Sequence, residues 1–265
     1  MIITTSTKPT TEMTNKAQKI AQVLNGTFVQ RGDSALQSLI NKFNKKEVIV
    51  VEKELTKYYP QNSSNPFFFH PNLAVLRIKR IQEGDNDIMV KIAELKAGDS
   101  FLDCTLGLAT DAIVASHVVG EKGQVWGFES NAVLAVIVKE GLAKGHKKHN
   151  FLNLTMQRIK VETTNHYEGL RGLPDKSFDV VYFDPMFRVG LNNSALKPLR
   201  EIANQSPISK ETIAEAKRVA KRLVLLKENK LSGEFERLGF RRIPRANNVT
   251  YGVIRLSGDV RTNEG

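Results

Sequence analysis

Phe101-Leu102-Asp103-Cys104-Thr105-Leu106-Gly107-Leu108-Ala109-Thr110-Asp111 is the stretch that decides the fold. A short apolar run ends near a carboxylate, passes through small residues and enters a helical pattern near Asp111-Ala112. It reads as a buried strand turning into a helix. Gly107 lets backbone approach a ligand closely, and the helix N-terminus offers free N–H groups. The same residues also suit an ordinary strand-to-helix turn capped by Thr110 or Asp111. Outward from here the pattern repeats. Strands are expected at 100–105, 124–129, 151–157, 179–184 and 222–227, with helical patterns between most of them. Five strands alternating with helices imply a parallel sheet covered on both faces. The end differs: Phe240 to Pro244, a turn at Arg245-Ala246-Asn247-Asn248 and then Val249 to Leu256 form a hairpin, so the last strand enters antiparallel.

Ahead of this region lies a smaller α/β pattern. Ile2-Ile3-Thr4-Thr5 reads as a strand, and Met13, Ala17, Ile20, Ala21 and Leu24 fall at helical spacing. Gly26 stops that helix, and Thr27 to Gln30 form a second strand. Asp33 or Ser34 is expected to cap a helix carrying Leu36, Leu39, Ile40 and Phe43, and 47–52 is a buried strand. Residues 56–72, with Tyr58-Tyr59-Pro60 and Phe67-Phe68-Phe69-His70-Pro71, read as an irregular connection whose phenylalanines are mostly buried. Two short helices are expected between Asn72 and Leu95, with Asp85 or Asp87 as a cap. The domain expectation is 1–70 for a small α/β unit and 71–265 for the main domain.

Composition narrows the function classes. The 265 residues are 41% hydrophobic and carry 39 Lys plus Arg against 28 Asp plus Glu, a formal charge of +11. That is too apolar for a disordered chain, and Cys104 as the single cysteine excludes an internal disulfide framework. No apolar run approaches the ~18 residues of a membrane span. The first residues lack the charged-then-apolar pattern of a signal peptide, so a cytoplasmic protein is expected. The charge is unevenly placed: +4 over 1–95, zero over 96–195 and +7 over 196–265. A basic excess flanking a neutral middle points to a polyanionic partner as well as to simple solubility.

Three strand ends carry chemistry, because ligands of open α/β sheets bind outside the carboxyl ends of the strands. The first is the turn after Asp103. The second is Gln124 to Glu129, whose terminal carboxylate can accept both hydroxyl hydrogens of a ribose, which points to an adenosine-containing cofactor. The third is Phe178 to Phe187, ending in Asp184-Pro185-Met186-Phe187. Nicotinamide enzymes place G-x-G-x-x-G at the first turn, which Gly107-Leu108-Ala109 does not supply. A fourth-strand Asp/Asn-Pro-Pro-aromatic motif is instead the signature of S-adenosylmethionine-dependent methyltransferases acting on planar exocyclic amines, and Asp184-Pro185-Met186-Phe187 resembles it with Met in place of the second Pro. Such a nitrogen shares its lone pair with the ring. Asp184 and the Pro185 carbonyl can accept its N–H groups and orient it, while Phe187 offers a stacking face.

With those motifs in view, the sequence resembles the bacterial class I methyltransferases that modify guanine N2 near the 3′ end of small-subunit ribosomal RNA. The likeness covers roughly residues 70–187 and rests on Asp103 to Ala112, Glu129-Ser130 and Val180 to Phe187, with Asp-Pro-Met-Phe the most diagnostic part. It implies an α/β, Rossmann-like fold with a seven-stranded, mostly parallel sheet ending in an antiparallel hairpin. It also implies S-adenosyl-L-methionine as cofactor, with Asp103 and Gly107 at the cofactor turn. Thr110 and Asp111 would lie at the methionine end, Glu129 and Ser130 at the ribose, Asn165 and His166 by the adenine, and Asp184 at the point of transfer. No metal is required, and ribosomal RNA or the small subunit is the implied partner. The chain departs from the family where Arg188-Val189-Gly190 follows Phe187, and at Asn165-His166. The rival readings are methylation of an amine on another nucleic acid or small molecule, and a non-catalytic module binding cofactor or RNA.

Other candidates are weaker. His146 and His149 flank Lys147-Lys148, which repel a metal cation. Arg77, Lys79 and Arg80 suit either a cofactor carboxylate or RNA phosphates. An amphipathic helix over Lys210 to Arg222, with Arg237, Arg241, Arg242 and Arg245, can form a surface that tracks phosphates.

Overall fold

Val48-Ile49-Val50-Val51 shows how this chain builds its sheets: four consecutive β-branched residues form a strand in which every side chain is buried. In the computed structural model, which describes residues 1–61, 65–145, 147–185 and 206–256, this strand is β3. It stands beside β1 (Ile2–Thr5), with α1 (Thr11–Val23), β2 (Thr27–Phe28) and α2 (Leu36–Phe43) completing the first part of the chain. The Thr10 hydroxyl caps α1 by accepting from the Met13 N–H. Helix α2 follows Ala35 with no side-chain cap, so neither Asp33 nor Ser34 caps it.

The expected irregular connection is partly strand. Residues of β4 (Thr56–Tyr59) and β5 (Phe67–Phe68) pair antiparallel, giving a five-stranded sheet in the order β2-β1-β3-β4-β5. Thr56-Lys57-Tyr58-Tyr59 alternates buried and half-buried side chains, the period of two that a sheet imposes. Pro60 and the polar run after it hid that alternation. Phe67 and Phe69 are buried, as expected of the phenylalanine cluster.

Two helices, α3 (Asn72–Gln82) and α4 (Ile88–Ala93), lead into the larger sheet, and Asp87 caps α4 by accepting from the Met89 and Val90 N–H groups. The chain then runs through β6 (Ser100–Asp103), α5 (Thr110–Val119), β7 (Gln124–Glu129), α6 (Ala132–Lys144), a 3-10 segment (Lys147–Leu152), α7 (Asn153–Gln157), β8 (Ile159–Thr163), α8 (His166–Arg171) and β9 (Phe178–Phe183). It ends with α9 (Lys210–Val219), β10 (Ala220–Asn229), α10 (Glu234–Leu238), β11 (Arg241–Arg242) and β12 (Val249–Arg255).

The seven strands lie in the order β11-β12-β10-β9-β6-β7-β8. Strands β8, β7, β6, β9 and β10 are parallel neighbours, and β12 runs antiparallel to β10 and β11. The strand expected at 151–157 is a correction. Leu152 and Met156 are fully buried one helical turn apart, while Phe151 and Leu154 are exposed, so the segment coils and the strand begins at Ile159. The basic helix also stops at Val219, placing Lys221 and Arg222 on β10.

The order reverses between β6 and β9: the chain adds β7 and β8 on one side of β6, then returns to its other side for β9 and β10. That topological switch opens a crevice at the carboxyl ends of β6 and β9. One apolar cluster joins Ile49, Tyr58 and Phe69 of the first part to Ile113, Ile137 and Leu142 on α5 and α6. Gly141 makes the join possible, since a Cβ there would lie 2.2 Å from Phe69 Cδ1. The sheet's other face packs Leu102, Val181 and Val224 against Leu170, Ile213 and Phe235. Among the described residues no helix is long and apolar enough to cross a membrane.

Candidate active site

The turn after β6 is drawn tight by two residues in the left-handed region, Gly107 (φ +49°) and Ala109 (φ +59°), with the Ala109 N–H donating to the Leu106 carbonyl at 2.7 Å. Ala109, rather than Thr110 or Asp111, directly precedes α5, and no side chain caps the helix. Leu106 lies over β7, where a Cβ on Gly127 would meet its Cδ1 at 2.4 Å. Glycine at 127 therefore lets the turn sit close to the neighbouring strand.

Glu129 closes β7 with its side chain buried. Its carboxylate accepts from the Asn131 N–H at 2.8 Å and the Gly107 N–H at 3.1 Å. Burial pushes its pKa up, and those amides pull against the rise. The Ser130 N–H also points at the carboxylate, and each oxygen, with two lone pairs, can still accept from a neighbouring hydroxyl. Asn131 caps α6 by accepting from the Leu134 N–H.

At the switch point three carboxylates converge. Asp103, buried at the end of β6, accepts from the Thr105 N–H at 3.0 Å, and the Asp184 N–H donates to Thr105 Oγ1 at 2.6 Å. Thr105 thus ties the ends of β6 and β9 together. Asp111, in the first turn of α5, accepts from the Arg77 guanidinium, from the Tyr182 hydroxyl at 2.9 Å and from Lys227 Nζ at 3.3 Å. Lys227 also donates to Asp184 Oδ2 at 2.6 Å. Arg77 is shared with Asp87, which it meets at 2.7 Å. The alternatives for Arg77 resolve inward, to two carboxylates of its own chain.

The environment sorts these groups. Burial opposes the Asp111 charge, yet Lys227 and Arg77 outweigh it and hold that carboxyl below the usual range. Burial raises Asp103 well above the usual value, and Asp111 adds to the rise. Asp184 is pushed up to about 6 by burial and by Asp111, against the pull of Lys227. Burial would lower the Lys227 ammonium pKa, but Asp111 and Asp184 keep it raised and charged. Burial and Asp111 keep the Tyr182 phenol protonated, a donor at neutral pH.

The remaining sequence-expected residues fall around this centre. Thr110 is half-buried at the first position of α5, and Ser130 is exposed next to Glu129. Asn165 caps α8 by accepting from the Glu168 N–H, and the His166 ring meets Phe183 edge-on at 6.1 Å, one residue before Asp184. Burial lowers the His166 pKa, favouring neutral imidazole. Pro185 is half-buried beside Asp184. Phe187 and the Arg188-Val189-Gly190 departure lie outside the described residues, as does His146. His149 meets Phe151 edge-on at 6.1 Å. Sequence reasoning missed Lys227 and gave Thr105 and Tyr182 no role. Lys227 ends the apolar run Leu223 to Leu226, the same strand-end signal that exposed Asp103, Glu129 and Asp184.

Comparison with known proteins identifies this arrangement. A family model described as "Putative SAM-dependent methyltransferase" matches residues 41–236, most of the chain. The chain belongs to the SAM-dependent methyltransferase family. This methyltransferase is 40% identical over 258 residues to the uncharacterized protein YpiP of Bacillus subtilis, covering 97% of this chain and all of that one. It is 26% identical over 216 residues to the ribosomal RNA small subunit methyltransferase J of Buchnera aphidicola, covering 79% and 82% of the two chains. The enzyme of the same name from Coxiella burnetii is 27% identical over 155 residues, 56% of this chain and 58% of that one. A SAM-dependent methyltransferase from Neisseria gonorrhoeae shares the fold over the full length of both chains, with a TM-score of 0.63 at 14% identity.

S-adenosylmethionine is the family's cofactor, and the residues present fit it. The Glu129 carboxylate offers free acceptors where a ribose diol would lie. Three carboxylates, Asp87, Asp111 and Asp184, share two cations, Arg77 and Lys227, with Asp103 buried beside them. That surplus of negative charge suits a ligand bearing a sulfonium and an ammonium.

Proposed function

We propose that this methyltransferase acts on an exocyclic amine of RNA, guanine N2 of small-subunit ribosomal RNA, in the cytoplasm. The observation that carries the reading is the Asp184 carboxylate. It stands at the carboxyl end of β9, with its backbone fixed on Thr105 and one oxygen on Lys227. Glu129 and the Gly107 turn hold the cofactor on the neighbouring strands, with Thr110 and Ser130 at its edges and Asn165 and His166 toward the adenine. S-adenosylmethionine supplies a methyl group already activated on a sulfonium, so a strong base is not required. Asp184 Oδ1, free of the Lys227 bond, accepts an amine N–H and orients the nitrogen lone pair, with the Pro185 carbonyl as a second acceptor. As the amine becomes cationic its acidity rises, and Asp184 or water takes the proton. The Asp184-Pro185-Met186-Phe187 sequence, by its resemblance to the guanine-N2 methyltransferases, and the likeness to two proteins named ribosomal RNA small subunit methyltransferase J support the RNA target. In this reading the Phe187 ring supplies the stacking face for the base.

The test incubates the protein with labelled donor and either unmodified small subunits or naked small-subunit RNA, then digests the RNA to nucleosides. The proposal expects label in N2-methylguanosine. Label in another nucleoside, or transfer only to DNA or a small amine, overturns it.

A further inference from the structure

The basic excess divides sharply once each cation is traced to its partners. Arg218 meets Asp175 and Glu215, Lys221 faces Asp179, Arg222 meets Asp99, Arg237 meets Glu234 and Arg255 meets Glu94. Of the surface expected to track phosphates, Arg218, Lys221, Arg222 and Arg237 are therefore paired within the fold, whereas Lys210 and Lys217 on α9 make no ion pair among the described residues. Among the described residues Arg241, Arg242 and Arg245 have no carboxylate partner, and all three lie on β11 and the turn into β12. That turn borders an open cleft of about 560 Å³, lined by Lys227, Arg245, Asn247, Asn248, Val249 and Tyr251.

The lining is chemically specific. The Arg245 guanidinium rests over the Tyr251 ring, 5.8 Å from its centre, which restrains a cation that would otherwise sweep the solvent. Asn247 and Asn248 are exposed, and their side-chain amides make no hydrogen bond among the described residues, so each offers donors and an acceptor. The turn carrying them is held by the Lys230 N–H, which donates to the Asn248 carbonyl at 2.8 Å, so the amides stand on a fixed backbone. Lys227 joins the cleft to the reaction centre, since its ammonium contacts Asp184 at 2.6 Å. A restrained guanidinium beside two free amides is the chemistry that meets a phosphate and the edge of a base.

We propose that this cleft binds the nucleotide next to the methylated one in a single-stranded RNA, Arg245 taking its phosphate and Asn247 and Asn248 its base edge. The inference rests on the RNA reading above and adds the path by which the strand reaches Asp184. It places the strand across β11 and β12, where the unpaired arginines lie.

The test uses the full chain, a fluorescent single-stranded ten-residue oligoribonucleotide and unmodified small-subunit RNA. Arg245→Ala is expected to weaken oligonucleotide binding about ten-fold at low salt and to reduce the log–log salt slope by about 0.7, one phosphate's worth on a single strand. Arg245→Lys keeps the slope. The double variant N247A/N248A keeps the slope too, but raises KM for the RNA several-fold. All three keep the wild-type affinity for S-adenosylhomocysteine, which shows that the fold is intact. If the wild type methylates RNA while Arg245→Ala and N247A/N248A match its binding and its KM, the cleft inference falls and the function stands. If the wild type methylates no RNA at all, the function falls and the cleft inference with it.

Discussion

Replacing Lys227 by Met removes an ammonium that contacts both Asp111 and Asp184, at 3.3 and 2.6 Å. At 2.6 Å the attraction between unit charges is about 1.6 kcal/mol in water and about 6 kcal/mol at an effective dielectric of about 20. One pKa unit corresponds to about 1.4 kcal/mol, so these limits span roughly one to five units. The Asp184 side chain is 24% exposed, and solvent screening favours the lower end. Asp103, Asp111 and Tyr182 also face Asp184, and without Lys227 the Asp111 charge is compensated by Arg77 alone. An expected rise of about one to two units carries Asp184 from about 6 to about 7–8. The sign follows from the proposed role: the ionised Asp184 carboxylate is the stronger acceptor for an N–H and can take the proton, so activity falls as pH drops through its pKa. In the wild type that acid limb lies near pH 6, and in Lys227→Met it moves to neutral pH or above, while activity near pH 9 largely returns. The assay is the initial rate of methyl transfer against pH at low RNA concentration, which reports groups of the free protein. Lys227→Arg keeps the charge and should keep the limb near its wild-type position. A Lys227→Met profile superimposable on the wild type, in a protein that still binds S-adenosylhomocysteine, refutes the reasoning.

Two further outcomes test the cofactor side. Glu129→Ala removes the acceptor for the Asn131 and Gly107 N–H groups together with the proposed ribose contact. Hydrogen bonds to a charged group contribute about 1.5–3 kcal/mol each, so calorimetry should find S-adenosylhomocysteine binding at least ten-fold weaker, and affinity within two-fold of wild type would remove Glu129 from the site. Gly127→Ala drives a Cβ to 2.4 Å from Leu106 Cδ1. Overpacking of this kind costs about 1–3 kcal/mol, so thermal denaturation should begin several degrees lower, with cofactor affinity falling as the turn shifts. An unchanged melting temperature contradicts the close packing of turn and strand.

The sheet was legible because parallel strands buried on both faces read as near-continuous apolar runs, and because their carboxyl ends carry acids that have no place in a core. Asp103, Glu129 and Asp184 were found by that logic. Lys227 obeys it equally, but a lysine after four apolar residues reads as the place where a strand meets solvent. Only the pairing of β10 with β9 brings it to Asp184. Strand β8 was displaced in the reading because Phe151, Leu152 and Leu154 form an apolar cluster before the true alternation of Ile159 to Thr163 begins. Two of those three, Phe151 and Leu154, face solvent. The basic surface was hardest to read, since Arg218, Arg222 and Arg237 look as free in sequence as Arg245. Their partners Asp175, Asp99 and Glu234 are supplied by the fold, two of them from distant parts of the chain.

The central claim is that Asp184 acts on the amine and is not needed to hold the cofactor. Single-turnover methyl transfer by Asp184→Ala, measured with S-adenosylhomocysteine affinity on the same preparation, tests it most directly. The account predicts transfer reduced at least a hundred-fold, about 2.7 kcal/mol of transition-state stabilisation, with cofactor-product affinity within a few-fold of the wild type. Transfer at the wild-type rate, or a loss explained entirely by weaker cofactor binding, contradicts it.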